Sequence, residues 1–156
     1  MYKRILVGID DSKTASLALR HAIGLARQQR ARLRLVSVVD EAGLDVAPYQ
    51  TELWDARIKA ARALLRKSQA MASASAVKAD TKLIEMEGIG QRTAELVVKE
   101  AQGWPADLTV VGTHGRRGFS HLVLGSVAEG VIRLSSGPVL LVRGVELKRK
   151  RRRRGS

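Results

Sequence analysis

The chain contains no cysteine, which removes disulfides, thiolate metal sites and thiol nucleophiles from consideration. Aromatic residues make up only 3% of its 156 residues, so Val, Leu, Ile and Ala must build the core. No apolar run approaches the ~20 residues needed to cross a bilayer. The amino terminus, MYKRILVGIDDS, has neither the long apolar segment nor the small-residue cleavage site of a secretory signal, and a cytoplasmic protein is expected. Acidic residues are few: 15 against 28 Lys and Arg, for a net charge of +13. Seven of those positive charges form one uninterrupted run, KRKRRRR at Lys148–Arg154, and without it the remainder carries +6. Adjacent like charges repel and have nothing to bury, so residues 145–156 read as a disordered tail. It is either a solvated end or an arm that holds nucleic acid or an anionic surface by counterion release.

What is present is ordinary for a globular domain, with 45% apolar and 28% charged residues in a chain long enough for one core. YKRILVGI (residues 2 to 9) is a short β-branched run that suits a strand buried on both faces. Asp10, Asp11 and Ser12 follow as helix-start residues, with Ser12 as N-cap, and an Ala-rich helical pattern runs through Leu17, His21, Ile23 and Leu25. RLRLVSVV (32 to 39) is a second strand, residues 40 to 49 a loop, and about 50 to 75 a long helix. A third strand lies within 76 to 87, a third helix in 90 to 102, a fourth strand in 107 to 112, and a fifth begins at Pro138. Strict β/α alternation predicts an α/β fold: a five-stranded parallel sheet with helices on both faces and right-handed crossovers, in a single domain over residues 1 to 144.

In such sheets ligands bind outside the carboxyl ends of the strands, where Asp10, Val38 and Gly112 fall. The stretch GTHGRRGFSHLVLGSVAE starts at the end of the fourth strand and places glycines at 112, 115, 118 and 125, the last followed by Ser126 and a helix. Ser126 and Glu129 have capping-box spacing. A glycine leading into a helix N-terminus offers unpaired N–H groups and the positive dipole end to an anion, with no Cβ in the way. The same glycines equally suit a loop of plain turns. The dinucleotide fingerprint is absent, and no Gly-Lys-Ser/Thr marks a Walker loop.

The spacing Gly112-x2-Gly115-x9-Gly125-Ser126 resembles the motif of the nucleotide-binding branch of the universal stress protein family. ILVGIDDS, LVSVVD and GPVLLVR are similar to that family's first, second and closing strands, so the resemblance covers about residues 2 to 143 in matching order. It implies a Rossmann-like fold of the adenine nucleotide α-hydrolase type. It also implies an ATP-binding regulator of the stress response with at most slow hydrolysis, Mg²⁺ or Mn²⁺ arriving with the phosphates. By the resemblance, Asp10 and the main chain of Val38 contact adenine and Gly112 lies against the ribose. Gly115, Gly125, Ser126 and Val127 hold the phosphates, and Gly118 falls outside the spacing. Gly8 stands where many members of the family carry Pro or Ala. Relatives commonly pair the last strand across a two-fold axis, which implies a homodimer through Pro138–Arg143.

The histidines form no nucleophile–base constellation: His21 reads as a packing or surface residue, and His114 and His121 as surface groups flanking the loop. No catalytic residue is assigned. Arg116 and Arg117 read as solvated. Gly88-Ile89-Gly90 followed by Thr93-Ala94 resembles a helix-hairpin-helix, but the preceding residues alternate as a strand and Glu85 and Glu87 would face the phosphate; the glycines read as a turn. Two other function classes stand beside nucleotide binding: a dimeric interaction module without nucleotide, and a nucleic-acid-associated protein using the tail and the Gly88–Gly90 turn.

Overall fold

A computed structural model describes residues 1–40, 50–86, 90–114 and 123–144. Nine elements alternate along the chain: β1 (Arg4–Gly8), α1 (Lys13–Gln29), β2 (Arg32–Val39), α2 (Gln50–Ala74), β3 (Ala79–Glu85), α3 (Thr93–Gly103), β4 (Leu108–Gly112), α4 (Ser126–Leu134) and β5 (Val139–Val142). Type and order agree with the sequence reading. The third strand starts later than 76 because Ser75, Ala76 and Val77 donate their N–H groups back to Ala72 and Ser73, closing α2 with a turn in which Ala76 has φ 58°. The third helix starts at Thr93 because Gly90, at φ 95°, and an extended Arg92 occupy the approach.

All strand pairs are parallel, in the order β3-β2-β1-β4-β5. The chain steps outward from β1 to β2 to β3, then jumps back across β1 to β4 and steps outward the other way. Right-handed crossovers therefore put α1 and α2 on one face and α3 and α4 on the other. The two cores follow that division. Ile5, Val7, Leu33, Leu35 and Val110 pack with Ala18, Leu19 and Ala22 of α1 and Leu65 and Ala72 of α2. Leu6, Val36 and Val111 pack on the opposite face with Ala94, Val97 and Val98 of α3 and Ala128 and Val131 of α4. Adjacent residues of one strand thus enter different cores, which is why the central strands read as unbroken apolar runs.

The shortage of aromatics is met by close approach. The buried stripe of α1 is mainly alanine, with Leu17 and Leu25 only partly buried and His21 exposed. At Gly130 an added Cβ would lie 2.5 Å from the Ala94 Cβ, so α3 and α4 meet there with no side chain between them. Polar ties fix the margins. The Asp107 carboxylate accepts from the N–H groups of Lys3 (2.8 Å) and Arg4 (3.1 Å), aligning the starts of β1 and β4. Arg34 of β2 pairs with Glu100 of α3 at 2.7 Å and lies 5.0 Å from the centre of the Trp104 ring.

Two glycine substitutions should separate packing from propensity. Gly130→Ala is expected to destabilise by about 1–3 kcal/mol through overpacking against Ala94. Gly24→Ala, where an added Cβ meets nothing within 4 Å, is expected to stabilise by about 0.5–1 kcal/mol as a mid-helix replacement. Urea denaturation of the two variants checks both signs.

Candidate functional site

The crossovers diverge between β1 and β4, so a crevice opens at the carboxyl ends of these strands, the position where open parallel sheets take ligands. On one wall, β1 ends at Gly8 and Ile9 makes one last bond, its N–H donating to the Val36 carbonyl at 2.7 Å. The chain then turns into α1 through Asp10, whose Oδ1 accepts from the Ser12 N–H at 2.7 Å. The Ser12 side chain accepts from the Ala15 N–H at 3.1 Å, the expected N-cap. Asp10 is half-buried, and its second carboxylate oxygen has no partner among the described residues.

Val38 lies on the neighbouring strand. The Val36 carbonyl faces β1 and the Val39 carbonyl faces the β3 side, where it accepts from Met86, so alternation turns the main chain of Val38 toward β1. Pairing with β1 has ended by then, at Gly8 opposite Val36, and no main-chain hydrogen bond from that side reaches Val38 among the described residues. A donor and an acceptor are left facing the crevice beside Asp10.

The other wall is the end of β4. An added Cβ on Gly112 would lie 2.5 Å from Thr14 Oγ1 and 2.7 Å from the Thr14 main-chain carbon. The backbone of β4 therefore runs directly against the first turn of α1. The Thr14 hydroxyl donates to the His114 carbonyl, and Thr113 donates its N–H to the Val142 carbonyl at 3.0 Å. His114 is half-buried with Nδ1 3.0 Å from Thr113 Oγ1, while its Nε2 is buried with no hydrogen-bond partner among the described residues. Sequence reasoning gave Gly112 a ligand-facing role and His114 a surface one. The packing of both against Thr14 was missed, because a glycine at a strand end does not show which neighbour it admits. Gly8 is a milder case: a Cβ there would meet Val111 Cγ1 at 3.3 Å.

Gly125 donates its N–H to the Thr113 carbonyl at 2.7 Å, which sets the N-terminus of α4 beside the end of β4. Gly125, not Ser126, is the N-cap, with φ −62° and ψ 153° and no side-chain cap bond, and Ser126 is already the first helical residue. The expected Ser126–Glu129 capping box is thereby corrected, since a residue inside the helix cannot fold its side chain back as a cap. The first intrahelical bond runs from the Glu129 N–H to the Gly125 carbonyl at 2.9 Å, so the N–H groups of Ser126, Val127 and Ala128 have no acceptor within the helix. Gly115, Arg116, Arg117, Gly118 and His121 lie outside the described residues, as do Gly88, most of the 40–49 loop and the tail. Of the sequence-derived site, Asp10, Val38, Gly112, Gly125, Ser126 and Val127 all fall at this one edge of the sheet. Among the described residues no three His, Cys, Asp or Glu side chains cluster as metal ligands, and no helix is long and apolar enough to cross a membrane.

These features define a doubly wound parallel α/β protein with the N-terminus of α4 placed at its switch point. The universal stress protein family model matches residues 1–143, and the chain belongs to that family. Universal stress protein MJ0531 of Methanocaldococcus jannaschii is 34% identical over 146 residues, covering 92% of this chain and 83% of its own length. The solved structure of the protein MJ0577 is similar with a TM-score of 0.83 at 28% identity, covering 94% of this chain and 99% of that one. A universal stress protein solved in complex with cAMP has a TM-score of 0.67 at 25% identity, covering 91% of this chain and 97% of that one.

The contact between the walls is testable without ligand. Gly112→Ala should cost about 1–3 kcal/mol by forcing Thr14 away from β4. Thr14→Val, which keeps the shape and loses the donor to the His114 carbonyl, should cost about 0.5–1.5 kcal/mol. Chemical denaturation monitored by circular dichroism reads both.

Proposed function

We propose that the chain binds an adenine nucleotide, ATP in the first place, and that occupancy of the crevice is the signal this universal stress protein passes on. The observation that carries the reading is the Gly125–Thr113 hydrogen bond, which holds the N-terminus of α4 against the end of β4. Phosphate oxygens suit the free N–H groups of Ser126 and Val127 and the positive dipole end, with the Ser126 hydroxyl as a further donor. Gly125 keeps side-chain bulk away from that approach, and Gly115 completes the cradle. At the other end, the free oxygen of Asp10 accepts from the exocyclic amine of adenine. The unpaired N–H and carbonyl of Val38 match the edge of the base, and the main chain of Gly112, its Cβ side taken up by Thr14, lies against the ribose. The cAMP complex of a relative supports an adenine ligand for this fold. Mg²⁺ or Mn²⁺ would ride on the phosphates and its own waters rather than on a carboxylate cage. With no general base assigned, turnover is at most slow, and the output is the bound state itself.

Mass spectrometry of the denatured, freshly purified protein should reveal co-purified nucleotide, and calorimetry should give saturable ATP binding. The Gly115→Val/Gly125→Val double variant should lose that binding; ATP affinity equal to wild type would overturn the loop assignment.

We also infer a homodimer through β5. It is an edge strand by sheet order, and Leu140 on it is 37% exposed, a liability that proteins cover or pair. Leu140→Glu should yield a monomer in light scattering. Val142, only 6% exposed, packs in the α1-side core, so a charge there would break the fold and report nothing about association.

A further inference from the structure

The two helical layers differ in charge far more than the composition suggests. On one layer, α1 carries Lys13, Arg20 and Arg27 with no acid, and α2 carries Arg57, Lys59, Arg62, Arg66 and Lys67 against Glu52 and Asp55. On the other, α3 and α4 together carry Lys99 and Arg133 against Glu95, Glu100 and Glu129. Eight cations face two acids on the first layer, and both acids sit in the opening turns of α2. Of those eight, Arg57 pairs with Asp40, and the other seven enter no ion pair among the described residues. Unpaired cations gathered on one layer cost self-repulsion, which a polyanion would relieve.

The layer also has a shape to receive one. A groove of about 280 Å³ runs between α1 and α2, lined by Arg20, Ile23, Gly24, Arg27, Met71 and Ser75. Gly24 leaves its floor open, since a Cβ there would meet nothing within 4 Å. Arg20 and Arg27 stand seven residues apart, about 10.5 Å along α1, and Lys13 continues the stripe one heptad earlier. Lys67, one turn before Met71, shares the groove side of α2. The groove occupies the carboxyl-terminal halves of α1 and α2, which lead into the amino-terminal ends of β2 and β3. It is thus at the opposite end of the sheet from the crevice and does not depend on the nucleotide reading.

We propose that the α1–α2 groove docks the phosphate backbone of double-stranded nucleic acid without sequence preference, through Arg20, Arg27 and Lys67. The lining decides among polyanions. None of the exposed large apolar side chains (Met1, Leu53, Val123, Ile132, Leu134 and Leu140) lines it, so nothing there inserts into a lipid surface. No aromatic residue lines it, so the stacking platform on which single-strand binders rely is missing. What remains is the pair of guanidinium groups of Arg20 and Arg27 lining the groove, with Lys67 beside it on α2, suited to phosphates and carrying no base readout.

The test measures binding of the full chain to two labelled duplexes of unrelated sequence across a salt series. Arg20→Gln/Arg27→Gln is compared with Lys99→Gln/Arg133→Gln, which removes the same charge from the other layer, and urea midpoints confirm that both variants fold. The groove variant should bind about tenfold more weakly at low salt and lower the slope of log K against log salt by about two. The control should stay within about twofold of wild type, and both duplexes should bind alike. Equal weakening of the two variants would assign any binding to net charge and the tail, overturning the groove. Wild-type affinity in the groove variant, or displacement of duplex by polyglutamate as readily as by unlabelled duplex, would overturn it as well. A Gly125→Val chain that binds duplex normally while losing ATP would keep the two sites separate; failure of wild type to bind ATP would leave this result unaffected.

Discussion

The contact on which the site depends is the bare backbone of Gly112 against Thr14. A parallel sheet leaves its ligand edge open where neighbouring crossovers diverge to opposite faces, here between β1 and β4. Here the first turn of α1 comes within a Cβ's reach of β4, and the Thr14 hydroxyl is spent on the His114 carbonyl. This brings the turn bearing Asp10 and the end of β4 to a fixed separation. The Gly125–Thr113 bond then carries α4 to the same edge. Remove the approach at Gly112 and the two walls lose their common reference.

The same economy of side chains shapes the body of the protein. With few aromatics, the layers are held by alanine-faced helices on β-branched strands and by a glycine where α3 crosses α4. Such cores gain from dispersion at short range and leave little room for one added methyl group. Charge is distributed by layer in a way packing does not require: near balance over α3 and α4, and an almost purely cationic surface over α1 and α2. Phosphate binding at the N-terminus of α4 and a basic groove toward the other end of the sheet would give the molecule two independent anion-binding features.

Much of this architecture was legible in the residues. The second strand was read over the residues it occupies, and the long helix ended within a residue of its observed end, because β-branched runs and Ala/Leu periodicity leave few alternatives. The N-cap at Ser12 was legible because side-chain capping is local. The cap at Gly125 was misread as Ser126, since a glycine cap contributes no side chain and the Ser-x-x-Glu pattern one residue on satisfies the same rule in sequence alone. The left-handed cap of α1 falls on Arg30, at φ 56°, with no glycine to announce it. The third strand falls inside the window read for it, but its start at Ala79 was not legible, because a hydrogen-bonded turn after α2 leaves no compositional mark.

By itself the sequence determined the class of fold, the order of its elements and the family, because alternation of period and the glycine spacing are properties of the chain read along its length. Only the tertiary structure decided that Gly112 is required by Thr14. It alone showed that Val38 turns toward β1 a main chain with no partner from that side among the described residues, and that Arg20 and Arg27 share a groove with Met71. Those facts join residues from 28 to 98 positions apart, and their distances are set by the stagger of neighbouring strands and the tilt of the helices on them, quantities that no local pattern encodes.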